Sequence, residues 1–278
     1  MAKVADRVLN EAEASSPTPG PRTPPVPVSR LSLGLRAASY QLISIALFLL
    51  AWWAISTIPW AIRIPSPIEV VSAAARLDPQ TFLDDMILST WRVGLGFVIA
   101  AAVGIPLGIA IGYSPLVRDL IFPSVELFRP IPPIAWIPLA ILFFPLVEGM
   151  IVFLTFYGAF FPIVYNTVAG VSGIRATYIR AGKSLGASEW TLFWQIALPA
   201  ALPVIFTGLH IAISVAWLMV VAGEMIANRG GIGAMTWQAY QTTQYPRIFV
   251  GMGAIGILGY LSSLGVRLVA RVIVRWEQ

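Results

Sequence analysis

The sequence contains no cysteine among its 278 residues and has few charged residues. The missing cysteine excludes disulfide bonds, thiolate catalysis and metal sites built on cysteine. Charged residues make up 11% of the chain and apolar residues 58%, against roughly 25% and about 45–50% in ordinary soluble domains. So large an apolar surface needs lipid as its solvent. The net charge of +5 indicates basic loops beside a membrane rather than a nucleic-acid partner.

Long stretches without a charged residue divide the chain. A membrane-spanning helix needs about 20 mostly apolar residues. Stretches of that kind predict spans at about 40–60, 93–113, 120–146, 150–170, 198–222 and 248–268. Their continuous aliphatic character, with glycine and proline inside, favours helices over the alternating strands of a barrel. The sequence therefore predicts an all-α integral membrane protein with about six transmembrane helices.

Basic residues are distributed unequally between the two sides that six spans define. The side with both termini carries Lys3, Arg7, Arg22, Arg30, Arg36, Arg118, Arg175, Arg180, Lys183, Arg267, Arg271 and Arg275. Cytoplasmic segments of membrane proteins are enriched in lysine and arginine, so we expect both termini in the cytoplasm. The last three arginines recur every four residues, and we interpret them as a headgroup anchor, not as a binding site.

The composition changes near residue 36. Residues 1–36 are rich in proline and serine, which predicts a disordered cytoplasmic tail ahead of one transmembrane domain, residues 37–278. The uncharged stretch 230–246 is rich in glycine and glutamine, and we interpret it as a loop or surface segment. Small residues recur every four positions in the second span, which lets another helix pack closely. They are Gly104, Gly108 and Gly112.

The predicted cytoplasmic loop between the fourth and fifth spans, residues 171–197, has the pattern of two helices separated by a break. Gly186 fits a left-handed position that ends the first helix. Ser188 can cap the second helix, with Glu189 in its positively polarised first turn. A stiff, exposed pair of helices is suited to docking on another protein.

This loop resembles the permease signature of binding-protein-dependent ABC importers: Glu-Ala-Ala, three residues, Gly, nine residues, Ile, one residue, Leu-Pro. With Gly186 aligned, every spacing matches. The matching residues are Arg180, Ala181, Gly182, Gly186, Ile196, Leu198 and Pro199. Arg180 stands in place of the usual Glu and Gly182 in place of the second Ala, which affects an ion pair from that Glu but not the docking helix. The resemblance implies that Leu185, with Ala181 and Ser184, contacts a groove on a cytoplasmic ATPase.

Further stretches resemble the taurine, sulfonate, nitrate and bicarbonate permeases among these importers. They are Leu127–Leu139, Ala222–Ile226 and Gly230–Gly233. The first is most similar to taurine and aliphatic sulfonate permeases. The resemblance implies a type I importer permease in a prokaryotic inner membrane, acting as a homodimer with cytoplasmic ATPase subunits and an extracytoplasmic solute-binding protein. The implied solute is a small oxyanion, taurine or another alkanesulfonate, with nitrate or bicarbonate as the alternative.

Other function classes have weaker support in the sequence. Gly182-Lys183-Ser184 is not a P-loop, because Thr177 stands where that motif needs a glycine, so we expect ATP at a partner subunit and no cofactor or metal here. Ser214 and His210 share a helix face, as a nucleophile and its general base would in a hydrolase. No third group that could orient the histidine is evident. We therefore assign no catalytic residue. A secondary carrier without an ATPase is the alternative class, and the signature loop argues against it.

Ionisable and proline residues inside the predicted spans are the candidates for a pathway or gate. Arg92 and Arg129 are cations that a passing anion can meet, and Glu126 can pair with Arg129 one helical turn away. Glu224 ends a long charge-free run, where it can hold a gate closed or order the following glycine loop. Prolines in the third span leave carbonyls without amide partners, which a cavity-lining segment tolerates. Pro132, Pro133 and Trp136 mark that segment.

Overall fold

The computed structural model describes residues 30–58 and 64–274, and the chain divides into two units, Met1–Trp52 and Trp53–Gln278. Most of the predicted tail and part of the predicted first span lie outside the described residues. Helix α1 (Arg30–Ser56) begins inside the predicted tail, because the prolines that prevent a helix end at Pro27.

The second unit consists of helices joined by short turns, and the described residues contain no strand. In chain order the helices are α2 (Pro67–Ala75), α3 (Pro79–Tyr113), α4 (Pro115–Phe128), α5 (Ile137–Phe143), α6 (Val147–Ser172), α7 (Ala176–Ser184), α8 (Glu189–Leu192), α9 (Leu198–Ala227), α10 (Ile232–Gln241) and α11 (Tyr245–Ile273). A 3-10 turn precedes α5, and a π-helical turn at Phe193–Ala197 joins α8 to α9. Proline opens α2, α3 and α4 after a capping residue, since it fixes φ and lacks the amide that a first turn leaves unpaired.

Among the described residues, four stretches are long and apolar enough to cross a membrane: α3, α6, α8 with α9, and α11. Helices α4 and α5 form a fifth only if taken together, and they are bent by 85°. The third predicted span, 120–146, is thus not one continuous helix, because Pro130, Pro132 and Pro133 donate no amide to the preceding turn. The all-α membrane fold is confirmed. We call the end where α6 stops and α9 starts the coupling end, and the opposite end the far end.

Helices α3, α6 and α9 share the largest apolar core. Along α3 the predicted glycine face lies against α6: a Cβ at Gly108 would lie 2.5 Å from the Cβ of Thr167, and one at Gly112 would lie 2.7 Å from the Cβ of Val171. Side chains at these positions would separate the two backbones. The predicted close packing of this face is confirmed.

The interpretation of residues 230–246 as a loop or surface segment is wrong for its middle, which forms α10 at the far end. Ile232, Met235, Thr236 and Ala239 are buried there. Their spacing of three and four residues is that of one helix face, while Gln238 and Gln241 on other faces are exposed. Ile232 and Met235 pack with Ala254 of α11.

Candidate functional site

The predicted break between the two helices of the signature loop is present in the structure. Helix α7 ends in a Schellman motif, in which the amide of Ala187 donates to the carbonyl of Gly182 at 3.0 Å and the amide of Gly186 donates to the carbonyl of Lys183 at 3.0 Å. Gly186 has φ +80°, which a residue with a side chain rarely adopts. The hydroxyl of Ser188 caps α8 by accepting from the amide of Thr191 at 3.2 Å.

Gly182, a departure from the signature, is a packing residue. It is buried, and a Cβ there would lie 2.5 Å from Leu192 Cδ2 and 3.0 Å from Ile196 Cδ1. Its missing side chain lets α7 lie directly on α8 and on the π-helical turn. The signature Ile therefore contacts the helix that carries the signature small residues. Leu198 and Pro199 follow at the first turn of α9, half-buried.

The outer face of the same loop exposes large apolar side chains. Leu185 is 89% exposed and lies between the candidate spans. Trp190 is 72% exposed and lies at the start of the stretch that α8 and α9 form together. Arg180, Ala181 and Ser184 are exposed beside them. Exposed apolar patches of this kind mark sites of contact with another protein or with a membrane.

An ion pair that the sequence did not suggest spans the break. Lys183 Nζ lies 2.6 Å from Glu189 Oε1, and the hydrogen bond to that carboxylate raises the pKa of Lys183 above its usual value. The two residues stand six positions apart on either side of Gly186, so only the cap geometry brings them together.

Arg92 is the centre of a polar cluster at the far end. Its Nε and Nη2 donate to the two carboxylate oxygens of Glu148, at 2.8 and 2.5 Å. Its Nη1 donates to Glu224 Oε1 at 2.8 Å and to the carbonyl of Gly230 at 3.0 Å, and Nη2 also donates to the carbonyl of Arg229 at 3.2 Å. Each of the five N–H donors of a guanidinium has an acceptor.

Glu224 completes the cluster from α9. Its side chain is fully buried. Besides Arg92, it accepts from the hydroxyl of Ser89 at 2.8 Å and from the amide of Gly233 at 2.9 Å. The oxygen of Ser89 in turn accepts from the amide of Ile232 at 2.9 Å. Glu224 is thus bonded to the glycine loop, as one of its two predicted roles requires, while the gate role stays a prediction.

These contacts correct the expectation that Arg92 is a cation that a passing anion can meet. Its side chain is fully buried, and its charge is matched by two carboxylates. Glu148 and Ser89 were not identified from the sequence. The position of Glu148 in the sequence could have suggested it, because it stands between two charge-free runs and Glu224 stands at the end of another. A buried charge such as that of Arg92 needs an opposite charge beside it.

The bent segment between α4 and α5 holds the other predicted pathway residues. Glu126, Arg129 and Pro132 are exposed, and Pro133 and Trp136 are half-buried. The predicted ion pair between Glu126 and Arg129 is not formed. The guanidinium of Arg129 instead lies 4.4 Å from the centre of the Tyr165 ring, a cation–π contact. Pro132 has no amide to donate to the carbonyl of Phe128, which accepts instead from the amide of Ile131 at 3.1 Å and from the hydroxyl of Tyr157 at 3.2 Å.

The remaining candidate chemistry is not assembled. The hydroxyl of Ser214 donates to the backbone carbonyl of His210 at 3.4 Å, not to its ring. Within residues 30–58 and 64–274, no group of three or more His, Asp or Glu side chains could hold a metal ion.

Comparison with known proteins identifies the family. Residues 104–277 match the family "Binding-protein-dependent transport system inner membrane component". The chain is 34% identical over 250 residues to the taurine transport system permease protein TauC of Escherichia coli K12, covering 87% of this chain and 91% of that protein. It is 34% identical over 246 residues to the nitrate import permease protein NrtB of Synechocystis sp. PCC 6803, covering 85% and 89%.

A solved structure shares the fold. A chain in an inward-facing structure of the MetNI methionine ABC transporter superposes with a TM-score of 0.59 at 16% identity, over 70% of this chain and 96% of that chain. The fold is therefore that of a type I ABC importer permease. The family match and the permease relatives show that the chain is an inner-membrane, multi-pass protein and is not itself an enzyme. The chain belongs to the family of inner-membrane permease components of binding-protein-dependent ABC importers.

Proposed function

We propose that this chain is the membrane-spanning subunit of an ATP-driven importer for a small oxyanion, namely taurine or another alkanesulfonate. The observation that carries the transport mechanism is the loop around Gly186. It is braced internally by the Schellman motif and by Gly182, yet exposes Leu185 on its outer face. A rigid helix with an exposed apolar tip can transmit movement of a partner to α9, to which the π-helical turn joins it.

The partners follow from this proposal. A cytoplasmic ATPase contacts Leu185 and neighbouring residues and supplies ATP hydrolysis, so this chain binds no cofactor. An extracytoplasmic solute-binding protein docks at the far end. The excess of basic residues at the coupling end supports a cytoplasmic position for that end and for both termini. A second copy of the chain completes the pathway, because one permease chain of this size encloses too little space for it.

The oxyanion is supported by similarity and by one charged side chain. The chain is 34% identical both to a taurine permease and to a nitrate permease, and the Leu127–Leu139 stretch favours the sulfonate. A desolvated anion needs hydrogen-bond donors or positive charge along its route. Arg129 is exposed and forms no ion pair with a residue in 30–58 or 64–274. Its contact with Tyr165 positions the guanidinium without using its N–H donors.

Uptake of labelled taurine, nitrate and bicarbonate by whole cells tests this function. Cells without the gene should lose taurine uptake and regain it with the wild-type gene. Arg129→Gln should lower the regained uptake, whereas Glu126→Gln, an exposed neighbour of opposite charge, should not. Loss of nitrate or bicarbonate uptake instead would support the alternative solutes.

A second measurement separates the importer from a secondary carrier. An ionophore that removes the ion gradients should leave uptake intact while ATP remains, and depletion of ATP should stop it. The reverse result would identify a secondary carrier.

Deletion of the gene that leaves the uptake of taurine, nitrate and bicarbonate all unchanged would contradict the oxyanion assignment.

A further inference from the structure

A groove of about 540 Å³ lies between α9 and α11 at the coupling end. Its polar side chains are Thr207, His210, Arg267 and Arg271. The two arginines are one helical turn apart on α11, and both are exposed. Neither forms an ion pair with a residue in the described part of the chain. The two arginines are therefore more than a headgroup anchor, because Thr207 and His210 of α9 face them across the groove.

The charge of this groove has one sign. Helix α11 contains no acidic residue, and the single acidic residue of α9 is Glu224, about 21 Å along the helix from His210 at 1.5 Å per residue. The Nε2 atom of His210 is buried and has no hydrogen-bond partner among the described residues. Buried polar atoms are normally paired. The groove therefore offers two positive charges and one unused imidazole nitrogen to an anionic ligand.

An apolar cavity continues from the groove. It has a volume of about 370 Å³ and shares Phe206 and Val266 with the basic groove. Gly265 and Val269 of α11 and Phe97 of α3 are among its other lining residues. A third cavity of about 690 Å³, almost wholly apolar, shares Thr90 and Gly94 with the second. The cavities thus run from a basic mouth at the coupling end toward the far end along α3 and α11.

We propose that this groove binds an anionic membrane phospholipid. Its phosphate diester contacts Arg267, Arg271 and His210, and one acyl chain lies in the cavity behind Phe206 and Val266. Basic pockets between transmembrane helices on the cytoplasmic side suit such headgroups. A transported anion of a few atoms would match the basic mouth but would leave the apolar continuation unused. A lipid matches both.

Native mass spectrometry of the full-length permease in mild detergent tests the site, with phosphatidylglycerol and phosphatidylcholine added in equal amounts. The wild type should retain phosphatidylglycerol in preference. The double variant Arg267→Gln/Arg271→Gln should bind it about thirtyfold more weakly, since each basic residue near a membrane contributes about a factor of five to anionic lipid binding. The double variant Arg118→Gln/Arg175→Gln loses the same charge at the same end, outside the groove, and should bind as the wild type does.

A second pair of variants tests the acyl chain without changing charge. A Cβ at Gly265 or at Gly253 would have no described heavy atom within 4 Å, so leucine can be introduced at either. Gly265→Leu fills the apolar cavity and should weaken phosphatidylglycerol retention, whereas Gly253→Leu on the same helix should not.

Three results would overturn the proposal. The first is equal retention of the two lipids by the wild type. The second is unchanged retention by both groove variants. The third is displacement of phosphatidylglycerol by millimolar taurine or glycerol phosphate together with an inert Gly265→Leu, which would make the groove a site for small soluble anions.

Discussion

The guanidinium of Arg92 and the carboxylate of Glu224 meet at 2.8 Å although they are 132 positions apart in the chain, and both side chains are fully buried. Glu148 binds the same guanidinium from a third helix. The carbonyls of Arg229 and Gly230 accept from it as well. One side chain thus links α3, α6, α9 and the loop before α10.

Removing Arg92 should destabilise the permease strongly. Arg92→Met leaves Glu224 as an uncompensated buried charge, for which we expect a loss of about 3–5 kcal/mol in the free energy of unfolding. Glu148→Gln should cost much less, because the Glu148 side chain is 57% exposed and water can replace its partner. Thermal unfolding of the purified variants measures both. Arg92→Met/Glu224→Gln, which removes both buried charges, should recover part of the loss, and equal losses in the two single variants would contradict this picture.

The cap at Gly186 should be required for coupling. Gly186→Val places a β-branched residue at φ +80° and should abolish solute-stimulated ATP hydrolysis in the reconstituted complex, while the permease still inserts. Gly186→Asn is the matched control, because asparagine tolerates the left-handed region. Leu185→Asp should also abolish coupling by placing a charge in the ATPase contact. Normal coupling in both Gly186→Val and Leu185→Asp would refute a docking role for this loop.

The bent segment between α4 and α5 should be reached from water. The chain has no native cysteine, so single cysteines at Ile131, Ile134 and Trp136 can be labelled without background. At least one should react with a water-borne thiol reagent, and its reactivity should change when ATP is trapped. Cysteines at Ala100 and Ile163, both 0% exposed, should stay inert. Inert behaviour of all three segment positions in every state would show that the segment is only packed.

The glycine face of α3 gives an internal comparison. Gly108→Ala places a Cβ 2.5 Å from that of Thr167, and overpacking of this kind costs about 1–3 kcal/mol. A Cβ at Gly94 on the same helix would meet no described heavy atom within 4 Å. Gly94→Ala should therefore be neutral or stabilising by up to about 1 kcal/mol. The midpoint temperature of thermal unfolding should be equal to or higher than that of the wild type for Gly94→Ala, and lower than both for Gly108→Ala.

Local features were predictable from the sequence. The absence of charge over 20 residues marked most of the long helices, and the cap at Gly186 followed from backbone preference alone. The ends of the helices were harder to predict from the sequence. Helix α3 starts at Pro79, well before the apolar run that begins at residue 93, because its N-terminal part extends out of the membrane to the capping residue Asp78. The helix in the middle of 230–246 is hard to predict, because its four buried positions at helical spacing lie among glycines and glutamines that are typical of a loop.

Long-range partners were not predictable. Arg92 stood out as a charge within an apolar run, but nothing in its neighbourhood along the chain names Glu148 or Glu224. Only the packing of three helices brings them within 3 Å. The same holds for Arg129, whose predicted partner Glu126 is one turn away but whose ring partner Tyr165 lies on α6.

The linkage made by Arg92 has a consequence for how the subunit can move. Helices α3 and α6 are interlocked along the glycine face, and at the far end α9 is tied to both through one guanidinium. Sliding any of the three past another would expose buried charges to apolar surroundings. We therefore expect these three helices to rotate as one rigid body, with α7 and α8 attached to it at the coupling end. The solute pathway is then expected to open and close along the outer surface of this body rather than between its helices.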